Sequence, residues 1–385
     1  MALHSHCLSL SPGVSRRSLF AAAGTGAVVA LAGARPAAAF AAPNGAAASM
    51  FAPPAGTAFL ARNENPYGPS PAAQRAIANA AAQGCYYANG GEKKLAAMIA
   101  ERHGLTPAHV LIGSGSTEVL NCATMALGVG NSIVAPDLTF DPPIRYAEAK
   151  GAKIVRVPLG ADMGIDLAAM LAAITPETRL VHICNPNNPT GMMLSGDALR
   201  AFVKAAGPGV TVLLDEAYNE LTENPDATSL VDRVRAGDNV IVARTFSKIY
   251  GMAGLRVGYA LAAPTIIEKL RPWSMSVGGN TAGLAGAIAS YQDEPFLKIS
   301  KSRIVEARQM IQAAVGKAGL TALPSQTNFV FVKVTDAETV RAKLEARNII
   351  IRGPYGKWTQ WSRVSAGRLE DVKRYAAALP EVTAS

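Results

Sequence analysis

Between residues 109 and 262, short apolar runs recur with helical patterns between them. His109-Val-Leu-Ile112, Ser132-Ile-Val-Ala135, residues 153–158, residues 180–183, Val212-Leu-Leu214 and Val240-Ile-Val-Ala243 each read as a short strand. The rhythm predicts an α/β fold, with a mostly parallel central sheet carrying helices on both faces. Ligands of such sheets gather at the carboxyl ends of the strands. The residues just after each run are therefore the ones to search for chemistry.

A chain of 385 residues, 49 % hydrophobic and 17 % charged, has a globular composition. At this size roughly 75 % of the unfolded surface can be buried, enough for one large domain and a smaller one. The net charge is +9; Arg16, Arg17 and Arg35, with no acid among the first 41 residues, supply +3 of it and leave +6. No Lys/Arg run is interleaved with aromatics, so the excess reads as a mildly basic surface suited to anionic substrates, not as a nucleic-acid face. Cys7 lies in the N-terminal segment. Cys85, Cys122 and Cys184 have no metal-type spacing, allow at most one disulfide, and are expected as free, mostly buried thiols.

Residues 1–41 are not expected to join the fold. Ser15-Arg-Arg-Ser-Leu-Phe20 resembles a twin-arginine export signal, followed by a modestly apolar stretch over 19–34 and a small-residue cleavage pattern at Ala39-Phe-Ala41. The apolar stretch falls short of the roughly 20 residues a spanning helix needs, and an uncleaved anchor is the alternative. Residues 42–58 are rich in Ala, Pro and Gly and read as a flexible lead.

Arg62-Asn-Glu-Asn-Pro-Tyr-Gly-Pro-Ser70 is dense in turn formers. It reads either as a loop entering a helix over 71–82 or as an arm lying over a site. A second helix is predicted over 91–103. After the first strand, Gly113-Ser-Gly-Ser-Thr-Glu118 opens a helix over 119–127. N–H groups there, with hydroxyls from Ser116 and Thr117, form either a phosphate cradle or an ordinary helix cap. Phe140, after the next strand, is core or a flat ring for a planar ligand. Asn185-Pro-Asn-Asn-Pro-Thr-Gly191 reads as a rigid, exposed turn in which Asn188 offers an amide to a ligand. Asp215 ends a buried strand and needs a cationic partner unless it caps a helix. Lys248 follows the last run between Thr245 and Ser247, ahead of Gly251, Gly254 and Arg256. An amine among hydroxyls and a guanidinium points to a lysine that forms an imine beside a phosphate.

Taken together, Asn63–Ser70, Gly113–Glu118, Asn185–Gly191, Asp215-Glu-Ala-Tyr218, Ser247-Lys248 with Gly254-Leu-Arg256, and Arg363-Val-Ser-Ala-Gly367 resemble the class I/II aminotransferases, fold-type I pyridoxal-phosphate enzymes. The similar subgroup is histidinol-phosphate aminotransferase, over about residue 60 to the C-terminus. The resemblance implies that Lys248 holds pyridoxal 5'-phosphate as an imine and later shuttles the substrate proton. It implies that Asp215 pairs with the pyridine nitrogen and that Asn188 and Tyr218 bond the phenolic oxygen. Phe140 would stack on the ring, and Ser116, Thr117, Thr245, Ser247 and Arg256 would hold the phosphate. Tyr87 would reach the phosphate of a neighbouring subunit, which implies a homodimer with shared sites. Arg363 would clamp a substrate carboxylate or phosphate, with Asn65 and Tyr67 of the arm on the same substrate side.

Departures fall on the substrate side. Tyr355-Gly-Lys-Trp-Thr-Gln-Trp-Ser362 is about one residue longer than usual, and Gly367-Arg-Leu-Glu-Asp replaces the common Gly-Thr-Pro-Glu. The cradle has Thr117 where the subgroup often has Asp, and Ser274–Asn280 lacks the usual Asn-rich character. The expectation is an exported, periplasmic aminotransferase moving an amino group from an amino acid or amino-phosphate to a 2-oxo acid, using the twin-arginine machinery. Export argues against a housekeeping histidine-pathway step. A decarboxylase, racemase or cyclase shares every cofactor contact, and a non-catalytic binding module is the third class. The expected organisation is a signal over 1–41, an arm over 42–80, a large cofactor domain over 81–275 and a small α/β domain over 276–385.

Overall fold

In chain order the strands are β1 (Ala58–Leu60), β2 (Val110–Gly113), β3 (Ser132–Pro136), β4 (Lys153–Val157), β5 (Thr178–Cys184), β6 (Thr211–Asp215), β7 (Val240–Thr245), β8 (Gly258–Ala262), β9 (Thr321–Ala322), β10 (Phe329–Lys333), β11 (Ile349–Ile351) and β12 (Trp361–Ser365). The computed structural model describes residues 50–88, 90–276 and 279–384. The export signal expected over 1–41, and Cys7, lie outside the described residues.

Seven strands make the central sheet in the order β2-β8-β7-β6-β5-β3-β4. Pairs from β4 through β7 are parallel. Strand β8 runs antiparallel to both β7 and β2. The sheet is mostly parallel, as the rhythm predicts, but the reversal at β8 is a finding. A buried strand of Gly, Tyr, Ala and Leu reads the same in either direction, because both of its faces are covered. Strands β3, β6, β7 and β8 are buried at every residue.

Helices predicted over 71–82 and 91–103 form at Pro71–Ala81 and Gly91–Arg102. Ser70 caps the first by accepting the Ala73 N–H at 3.1 Å, and Pro71 sits where its missing N–H costs nothing. The Thr281–Tyr291 helix packs against both. The smaller C-terminal domain is built on the 24-residue helix Glu294–Lys317, the β12-β10-β9 sheet and the helix Leu369–Thr383. Chain entry is tied to this side: β1 pairs in parallel with β11, and Arg374 donates to the Gly56 carbonyl at 2.8 Å. The lead expected to be flexible up to residue 58 is thus anchored at its end. Cys122 and Cys184 are buried free thiols and Cys85 is an exposed one.

Candidate active site

The carboxyl ends of the sheet strands open into a cleft of about 760 Å³, roofed by β1, β11 and β12 of the small domain. Lys248, Asp215, Ser116, Thr117, Phe140, Asn188, Tyr218, Thr245, Ser247, Arg256 and Arg363 all line it. Residues separated by as much as 247 positions in the chain are thereby brought around one volume.

The cradle comes from two elements pressed together. The helix expected from 119 begins at Gly115, so Ser116 and Thr117 stand in its first turn, whose N–H groups lack intrahelical acceptors. Glu118 takes the Ser114 N–H at 2.5 Å, so the cap and the cradle coexist. Gly115 has φ +75°, and a Cβ there would lie 2.2 Å from Arg256 Nη2. At Gly258 a Cβ would lie 2.3 Å from the Ser116 nitrogen. Both glycines are close-approach positions that let Arg256, itself left-handed at φ +53°, reach the helix start. Arg256 Nη1 donates to Ser247 Oγ at 3.4 Å, and Thr245 Oγ1 donates to the same hydroxyl at 2.9 Å. Two hydroxyls and a guanidinium beside a helix N-terminus make an anion site.

Asp215 is 2 % exposed. It accepts the Ala217 N–H at 3.1 Å, and among the described residues no ion pair neutralises it. Burial pushes its carboxyl up to about 6, the Ala217 N–H and Lys248 opposing. Burial and the nearby Arg363 bring the Lys248 amine down to about 8. Lys248 Nζ donates to the Asn63 carbonyl at 3.1 Å. The Tyr218 hydroxyl accepts from Asn63 Nδ2 at 3.2 Å and Asn188 Nδ2 at 3.4 Å, and burial raises its pKa. Arg363 donates to Asn188 Oδ1 and to the Ala61 carbonyl, each at 2.7 Å, while its buried Nε has no partner.

Several expectations need correction. Asn65 and Tyr67 do not line the cleft. Asn65 Nδ2 is taken by the Ile249 carbonyl at 2.8 Å and by Ser300 Oγ at 2.7 Å. The Tyr67 hydroxyl accepts the Leu369 N–H at 3.1 Å. Both pin the arm, while Arg62, Asn63 and Glu64 face inward. Tyr87, whose expected place is a neighbouring subunit's site, is 75 % exposed and outside its own chain's cleft, which leaves that expectation standing. The 185–191 turn, read as exposed, is buried throughout. Its polar groups find partners in the surrounding chain: Asn187 Nδ2 donates to the Leu138 carbonyl at 3.0 Å, and Asn185 Oδ1 accepts the Leu194 N–H at 2.8 Å.

Sequence reasoning missed Asn63 and Arg352. Asn63 touches Lys248, Tyr218, Ser365 and Asn328 at once. Its φ of +56° is a conformation Asn tolerates, but nothing in the local sequence announces it. Arg352 enters the cleft from the end of β11, with Arg62 and Arg341 also in its lining. Across from Asp137 at the end of β3, Lys357 of the Trp-rich segment forms an ion pair at 2.9 Å.

Pyridoxal phosphate fits these residues. A buried acid without a cation suits a protonated ring nitrogen, and the cradle suits a phosphate. Asn188 and Tyr218 converge for a phenolic oxygen, and Lys248 is a lysine whose amine is near half-neutral at mild pH. Fold and site together define a fold-type I pyridoxal-phosphate enzyme.

Residues 58–379 match the family of class I and II aminotransferases, and the chain belongs to it. It is similar to histidinol-phosphate aminotransferase of Moorella thermoacetica, at 37 % identity over 84 % of this chain and 85 % of that one. A second relative is histidinol-phosphate aminotransferase 2 of Ralstonia nicotianae, at 38 %, covering 84 % and 88 %. Among solved structures, histidinol-phosphate aminotransferase from Sinorhizobium meliloti in complex with pyridoxal-5'-phosphate superimposes with a TM-score of 0.80, at 32 % identity over 84 % and 90 % of the chains. The chain is a pyridoxal-phosphate-dependent transaminase, and other reactions on the same cofactor are not favoured.

Proposed function

We propose that this enzyme takes its amino group from a small amine with an anionic far end, of the histidinol-phosphate kind, and passes it to a 2-oxo acid. The observation that carries this is the ring of arginines on the substrate side. Arg363, Arg352 and Arg62 line the cleft, where Glu64 is the one acid in the lining apart from Asp215; Arg341, also in the lining, is paired with Glu338 and Glu345. Such a field favours a dianion, and planar guanidinium forks suit phosphate or carboxylate oxygens. The names of the relatives support the same substrate class.

When bound, pyridoxal phosphate supplies the electron sink for a carbanion at the substrate carbon. Asp215 stays charged at neutral pH and holds the proton on the ring nitrogen. Lys248 Nζ, hydrogen-bonded to Asn63, takes and returns the proton at the substrate carbon. Arg363, with its Nε free, orients the incoming anion against Phe329, whose ring lies 5.3 Å beneath the guanidinium.

A donor screen with 2-oxoglutarate tests the substrate. Histidinol phosphate should exceed histidinol in kcat/KM by at least about tenfold, and Arg352→Ala should raise KM far more than it lowers kcat. Equal use of the two donors sinks this substrate class. We further propose export by the twin-arginine route, activity in the periplasm, and a homodimer in which Tyr87 completes the neighbouring site. Fractionation of cells carrying the full chain, with Arg16→Lys and Arg17→Lys together as the control, tests the first two. Equal distribution of both chains argues against them.

A further inference from the structure

Two residues that face the cleft are each followed or preceded by a charged residue facing away from it. Asp215 and Thr245 point into the cleft; Glu216 and Arg244 meet behind it. Arg244 Nε and Nη2 both donate to Glu216 Oε2, at 3.0 and 2.7 Å. Ser229 closes the cluster, donating to Glu216 Oε1 at 2.9 Å and accepting from Arg244 Nη2 at 3.1 Å. The Leu230 N–H adds a further bond to Oε1 at 3.0 Å. Glu216 is 0 % exposed and Arg244 7 %. Tyr259 and Glu220 stand near Arg244 as well.

A buried ion pair is a poor way to gain stability, because desolvating two charges offsets most of their attraction. Apolar side chains of the same volume do as well or better. What the pair does provide is direction. Its fork joins the carboxyl ends of β6 and β7, where the Glu216 N–H also bonds the Ala243 carbonyl at 2.9 Å. One end carries Asp215, which would pair with the ring nitrogen of a rigid cofactor. The other carries Thr245, Ser247 and Lys248, which would hold its phosphate and its aldehyde carbon. A flat ring held at both ends tolerates little change in the distance between its holders.

We infer that Glu216 and Arg244 are positioning residues for the cofactor, a fork behind the sheet that sets the span between Asp215 and the Thr245–Lys248 segment. Neither touches the cofactor.

The test replaces both at once, Glu216→Gln with Arg244→Met, so that the pair's two charges leave together and an amide oxygen still takes the Ser229 and Leu230 donors. The apoprotein should melt within a few degrees of the parent. Its Kd for pyridoxal phosphate, by equilibrium dialysis, should rise by about tenfold or more. The pH midpoint of the bound cofactor's visible absorbance should also move, a change that loss of mere packing does not produce. A parental Kd together with a parental midpoint overturns the assignment. Should the double variant fail to accumulate as folded protein, Arg244→Lys carries the comparison, since it keeps the charge and loses the fork. A Kd raised by about threefold or more supports the inference, and an unchanged Kd rejects it.

Discussion

Asp215 and Lys248 carry opposite displacements for the same cause, burial. For Asp215 the folded-state value of about 6 exceeds the unfolded one. The folded chain thus holds this proton more tightly, and the group's contribution to stability is lost as pH rises from about 4 through 6. Without cofactor, Asp215→Asn should remove that loss and stabilise the chain at pH 7 by about 2–3 kcal/mol. With cofactor the order reverses, because the variant cannot pair with the ring nitrogen; activity should fall by roughly a hundredfold or more. Paired thermal melts of the apo and loaded proteins separate the two effects. For Lys248 the folded value of about 8 lies below the unfolded one, so protonation is disfavoured in the fold, and the stability it confers above pH 10 is lost as pH falls through 8. Because the neutral amine is the nucleophile, the rate of cofactor capture should climb about tenfold per unit up to pH 8 and then level. Arg363→Met removes a like charge and should move that break to higher pH. A break that stays in place would mean burial alone sets it.

At the scale of the element, what governs the cofactor side is how closely β8 and the Gly115–Gly128 helix approach. Gly258→Ala puts a methyl into the Ser116 backbone, and Gly115→Ala adds a strained φ to a clash with Arg256. Each should cost about 2–4 kcal/mol in a denaturant melt and weaken cofactor binding well beyond that of a surface Ala. Most elements here were legible because buried strands are dense runs of Val, Ile and Leu, and because Gly, Ser and Thr cluster just after them. Nine of the site residues named from sequence line the cleft for that reason, and Tyr218 and Arg363, named through the family resemblance, line it with them. Others were not legible. The Glu294–Lys317 helix mixes charged and apolar positions without a clear stripe. Asn65 and Asn63 sit two residues apart in the same turn-rich arm. Which of them faces inward depends on the left-handed φ at Asn63 and on Ser300, a residue more than 200 positions away. Asn65→Ala should therefore loosen the arm and lower the melting temperature by several degrees while leaving the KM of a saturating donor little changed.

On the scale of the whole molecule, the proposed sharing of sites makes a prediction that a self-contained monomer cannot meet. Lys248→Ala chains should be inactive alone, and Tyr87→Ala chains should bind cofactor weakly. Refolded together, they should recover activity, because one of the two clefts in a mixed dimer then has both residues intact. No recovery, with dimers present by light scattering, would confine Tyr87 to its own surface. The small domain and the sheet also touch outside the cleft lining. Lys357 in the small domain grips Asp137 just past β3, three residues before Phe140, and the lysine is solvated while the acid is mostly covered. A latch of this type weakens as dissolved ions crowd around its exposed half. Turnover limited by the departure of product should then quicken between low and moderate salt, and Lys357→Met should be fast from the start and indifferent to salt. The medium outside the protein would thus act as a throttle on how long each visitor stays.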